Sequence, residues 1–321
     1  VRVTSAALDA EADENVAVDY NSLSSNTLGN RTVAIGTGAL RDMNFTTATD
    51  SFNTAVGLSA GLSATTAQYS TFIGGAAGDA ITTANSNVAV GYNSLSTETT
   101  GANSTALGTS ALATQNVGSG VNVANTAVGY DAGYAVTTGV QNTIVGAYAG
   151  DALTTGESNV ALGYGALSSD DVGNHSVAIG HGALYSQNYA TATDSNNTAI
   201  GYNCGNAVTT GSKNTFVGAF AGDTVNTGNN NTFIGMECAD DHINGENNVG
   251  VGYNILMSAT GVSNEINIGT SFQGTGANTF NFGKASNVVS NNFATNASFS
   301  RSSDQRLKTS ITNAALGLDF I

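Results

Sequence analysis

The chain has 321 residues, a formal net charge of −15, forty Gly, no Pro and only 10% charged residues. So small a charged fraction is unlike helical bundles and coiled coils, and no apolar run is long enough to cross a membrane as a helix. Between Asp42 and Gly283 stand sixteen acidic residues and one basic residue, Lys213, a balance that repels nucleic acid and anionic membranes. Such acidity keeps a Gly-rich chain soluble and by itself marks no cation site.

In chain order, the pattern N-T-x-V-G recurs from the start. It closes at Asp19, Gly36, Gly57, Gly74, Gly91, Gly108, Gly129, Gly146, Gly163, Gly180, Gly201, Gly218, Gly235, Gly252, Gly269 and Gly283. Eleven of the fifteen intervals are 17 residues, three are 21 and the last is 14. This predicts an all-β parallel β-solenoid or β-roll of 17-residue coils over 1–269, each coil burying its apolar face on the next. At strand spacing the shaft would extend roughly 70 Å.

Each motif, such as Asn142-Thr143-Ile144-Val145-Gly146, reads as a short strand in which β-branched residues alternate around a variable site. Stacked in register, the Asn and the Val/Ile/Leu positions would form ladders. The Thr-Thr-Gly that follows, as at Thr154-Thr155-Gly156, reads as a second short strand and a turn. The long coils close at Gly57, Gly129 and Gly201, 72 residues apart, with their extra residues in 41–52, 113–124 and 185–196. The site four residues past the glycine follows the same period: Leu40, Gly61, Gly78, Leu95, then Leu112, Gly133, Gly150, Leu167.

One residue earlier lies a small-residue site, Ala in most coils and Cys at 204 and 238. Two coils separate these cysteines by roughly 9.6 Å, too far for a disulfide. Both read as free thiols that fill space. Tyr92, Tyr130, Tyr164 and Tyr202 directly follow a motif glycine on every second coil. They read as packing between coils or as a row that stacks on host glycans. After Gly252 the motif decays, and 270–303 reads as a capping and transition segment.

A lone chain of such coils has little to bury. One-chain left-handed β-helices use hexapeptide sides, about 18 residues per coil, which 17 does not match. The alternative is a coil whose inner strand packs against copies in other chains. Asn159-Val160-Ala161-Leu162-Gly163 and Ser176-Val177-Ala178-Ile179-Gly180 resemble the repeats of trimeric autotransporter adhesin heads. That resemblance implies a homotrimer of left-handed β-rolls. Ser303-Asp304-Gln305-Arg306-Leu307-Lys308 resembles the opening of the intramolecular chaperone domain of phage endosialidases, tailspikes and tail fibres. Residues 304–321 then read as a truncated start of that domain. The resemblance implies self-cleavage before Asp304, with Ser303 as nucleophile and Lys308 as its base.

His175, His181 and His242 lack metal-ligand spacing. The glycines belong to turns, not to a phosphate loop, and no carboxylate pair stands out. No metal, cofactor or substrate-directed activity is expected. The reading is a trimeric structural fibre of a virus or phage tail, serving host attachment. Its partners would be itself, a host surface glycan or receptor, and other virion tail proteins. A trimeric adhesin on a bacterial cell surface is the alternative. An ice-binding solenoid fits less well, because the adjacent Thr residues of a strand point opposite ways.

Overall fold

Thr, Val, Ile and Leu favour extended backbone, and a glycine behind them lets the chain turn sharply. The computed structural model describes residues 14–118 and 121–295, and it repeats this unit coil after coil. Each motif supplies one three-residue strand, such as Thr143–Val145 and Val160–Leu162. These pair in parallel and in register, Thr143 on Val160, Ile144 on Ala161 and Val145 on Leu162. The whole ladder is one 17-stranded sheet. Its strands lengthen at one end to Val249–Leu256 and Ile266–Gln273. The last strand, Asn287–Asn292, folds back antiparallel on Thr279–Lys284. No helix occurs among the described residues. The fold is thus the parallel β-solenoid of 17-residue coils that the period predicts.

The predicted second strand at Thr-Thr-Gly does not form. Those residues are bends, yet they still bond from coil to coil. The Thr137 N–H donates to Thr154 O at 2.9 Å and the Thr137 hydroxyl to the same oxygen at 3.1 Å. Two of the long coils add a two-residue strand in their excursions. Thr49–Asp50 pairs with Gly29–Asn30, and Thr193–Asp194 with Gly173–Asn174.

The strand pleat sends the central residue inward and its two neighbours outward. Ala55, Phe72, Ile144, Ala161 and Phe216 are fully buried, whereas Leu162 is 43% exposed and Ile200 39% exposed. In a single chain the core position is therefore the variable one. The Val/Ile/Leu positions expected at a buried seam form an outward apolar stripe. Where the motif opens with Asn, that buried side chain bridges three coils, as a close-packed backbone requires, and other coils carry Thr32, Ser70, Ser104, Ser176 or Glu265 there. Asn142 N–H donates to Asn125 Oδ1 at 2.8 Å, and Asn142 Nδ2 donates to Gly156 O at 2.9 Å.

Candidate functional site

Just past the motif glycine the chain turns, and its side chains face solvent. In-register stacking then places rings above one another. Tyr130, Tyr148, Tyr164, His181, Tyr202 and Phe220 form one continuous ladder over six coils. Successive ring centroids lie 5.3, 5.7, 5.3, 5.3 and 5.2 Å apart. Tyr164 is 54% exposed. Three of the four tyrosines singled out in the sequence, Tyr130, Tyr164 and Tyr202, belong to this ladder. Tyr92 is exposed but has no ring partner among the described residues. Tyr148 and Phe220 join from one residue further on, at φ of 56° and 57°. His181 occupies the tyrosine's own place in its coil.

Beside the ladder opens a cleft of about 270 Å³ lined by Tyr148, Asp151, Tyr164, Gly165, Ser168 and Tyr185. Ser168 Oγ donates to Asp151 Oδ1 at 2.8 Å. Burial, as the first cause, and Asp131 nearby hold the Asp151 carboxyl above the usual range. The planes of Tyr148 and Tyr164 cross at 76°, so the two rings make a corner rather than a platform.

Other chemistry-bearing groups are absorbed by the interior. Glu98, Asp170 and His242 lie 72 residues apart and are fully buried. Glu98 Oε1 accepts the N–H groups of Thr99, Thr100 and Gly101 at 2.9, 3.0 and 2.6 Å, and its other oxygen accepts from Gln115 at 3.0 Å. Asp170 accepts from Gly173 N–H at 3.0 Å and from Gln187 at 2.6 Å. These bonds tie a 17-residue coil to the Gln of the long coil stacked on it and leave neither carboxylate an open face for a substrate. His242 Nε2 meets Asn248 Nδ2 at 3.2 Å, and its Nδ1 has no partner among the described residues. Burial also pushes the thiols of Cys204 and Cys238 up to about 12, so both stay protonated and inert as filler in the small-residue column. Their free, buried state matches the sequence reading. Ser303, Asp304 and Lys308 lie outside the described residues.

No family model matches the chain, and neither a curated protein nor a solved structure does so.

Proposed function

We propose that the chain is a structural fibre protein. Three parallel copies meet along the outward apolar stripe, and the shaft so formed serves attachment to a surface, as on a virus or phage tail. The stripe is the observation that carries this reading. Ile35, Ile73, Leu107, Leu162, Ile200, Ile234 and Ile268 are large, exposed and on one edge of the sheet's strands, and the strands between them carry half-buried Val or Ile at that place, as at Val145 and Ile179. With the outward Thr and Val residues beside them, the face measures about 70 Å by 10 Å, or about 700 Å². That is close to the ~800 Å² each partner contributes to a standard stable interface. Three as the number of copies follows from the resemblance of the repeats and of 303–308 to trimeric families.

Light scattering on the purified chain tests this. The wild type is expected at three times the chain mass. Leu162→Asp combined with Ile200→Asp is expected to run as a monomer, because each unpaired carboxylate costs several kcal/mol at a dry seam. Its circular dichroism should be unchanged, since neither side chain reaches the core. A monomeric wild type, or an undisturbed oligomer in the double variant, would end the fibre reading.

A further inference from the structure

The carboxylates of the rod recur by descent of the repeat. Asp79, Asp151 and Asp223 stand 72 residues apart in equivalent places. Their surroundings are not equivalent. Where Tyr148, Tyr164 and Tyr185 stand around Asp151, the coils around Asp79 have Ala76, Tyr92 and Ala113. Among the described residues, Asp151 sits in a cleft walled by three tyrosines, and Asp79 and Asp223 lack that set of rings in the equivalent places. Gly165, itself buried, lies beneath the Tyr185 ring, which a Cβ there would meet at 3.5 Å.

Asp151 takes part in no ion pair among the described residues. Lys213 is the one basic residue between Asp42 and Gly283, so the rod has almost no cation of its own to offer. A ligand of positive charge is the natural complement. Its type follows from the walls. Calcium takes about 6–8 oxygen ligands, and a single carboxylate with phenol rings does not supply them. A neutral sugar stacks on a broad aromatic face, whereas Tyr148 and Tyr164 stand nearly perpendicular. A bulky, weakly hydrated alkylammonium is drawn to several ring faces at once and needs only one counter-charge. A volume near 270 Å³ is just below the about 300–1,000 Å³ usual for ligand sites and suits a small headgroup.

We propose that the cleft formed by Tyr148, Asp151, Tyr164, Ser168 and Tyr185 binds a quaternary ammonium group of the choline type. The rings hold the methyl-bearing cation, Asp151 neutralises it, and Ser168 fixes the carboxylate by its hydrogen bond. This names the chemistry by which the shaft attaches, and to that extent it rests on the fibre reading.

Calorimetric titration of the full chain with choline chloride, against sodium chloride at equal ionic strength, tests the site. Saturable binding with Kd on the order of millimolar is expected. Asp151→Asn and Tyr164→Leu should each weaken it about tenfold or more, while the remote Asp79→Asn should leave it within about threefold. Melting curves on each variant confirm that the rod is intact. Co-sedimentation with phosphatidylcholine vesicles would assign the group to a membrane headgroup, and binding of free choline alone would assign it to soluble or polymer-borne choline. Either result supports the site. It is overturned if choline gives no more heat than sodium, if Asp151→Asn binds undiminished, or if glucose binds with the same variant sensitivity. Light scattering on the same samples separates the two proposals. A trimer that ignores choline overturns the cleft alone, and a monomer that binds it overturns the fibre alone.

Discussion

At Gly163 the backbone runs at φ 134°, and a Cβ there would lie 2.6 Å from the Gly180 carbonyl oxygen. From Gly36 to Gly269 neighbouring coils approach too closely at this column for a side chain, and Asp19 stands there in the first coil, at φ 97°. Gly163→Ala therefore combines backbone strain with a clash against rigid backbone, and about 3 kcal/mol or more of stability should be lost. Gly165→Ala is a fair comparison. Its φ is 60° and its nearest neighbour stands 3.5 Å away, so about 1 kcal/mol is expected. Thermal melts of the two variants check this, and equal losses would show that the coil-to-coil approach is not what fixes the glycine. This column was legible in the sequence because Gly recurs in it at every coil after Asp19, and the ladder beside it because Asn opens most of the motifs. The ring ladder was legible only in part. Tyr130, Tyr164 and Tyr202 share a place in the motif, but Tyr148 and Phe220 stand one residue further on. Spacing alone does not reveal that the turn brings those two places into one column.

Within the coils, core volume is traded between two sites. Phe72, Ile144 and Phe216, three of the large strand centres, are 72 residues apart, and each sits between two glycines of the Leu/Gly column. A Cβ at Gly205 or at Gly222 would come within 2.8 Å of the Phe216 ring. Where the centre is Ala161 or Ala178, the same column carries Leu167 and Leu184, both fully buried. Phe216→Ala should thus leave a cavity and cost about 3–5 kcal/mol. Adding Gly205→Leu and Gly222→Leu should restore part of it, because Leu184 already adopts φ of 50° at this place. Denaturant unfolding of the single and triple variants measures the difference, and a triple variant weaker than the single one would contradict the exchange of volume. The Leu/Gly period was visible in the sequence, but its partner at the strand centre was not read with it. Which pleat face turns inward was also illegible. Both faces are apolar, and Ala looks less like a core residue than Val or Leu. The Thr-Thr bends passed for a strand because β-branched composition reports extended backbone, not whether neighbouring coils pair there.

Over the whole rod, the carboxylates set how stability responds to pH. Asp79, Asp151, Asp170, Asp223, Asp240 and Asp241 are all held above the ordinary carboxyl range, with burial the first cause in each. Asp223 reaches about 6, with Asp240 and Glu237 adding repulsion. In the unfolded chain these groups titrate near 3.9. The folded rod therefore binds more protons than the unfolded chain between that value and about pH 6. Their stabilising contribution is complete below the unfolded value and is lost as pH rises through the folded ones. Other groups oppose this. Burial lowers the His242 value, so its contribution is lost as pH falls below about 6.5. Asp19 and Asp42 are lowered by hydrogen bonds, to the Tyr20 N–H and to Arg41, but they are solvent-screened and weigh little. Six raised carboxyls outweigh them, and the melting temperature is expected to be higher at about pH 5 than at about pH 7.5. Acidification also relieves the repulsion of a net charge of −15, which raises stability in the same direction. Salt separates the two causes, because it screens the repulsion between exposed charges and leaves burial largely untouched. In about 0.5 M salt the pH dependence should therefore shrink but persist, and Asp223→Asn should reduce what persists. A melting temperature that climbs from pH 5 to pH 7.5 would mean that these carboxylates are paired or solvated in the folded rod and not desolvated between its coils.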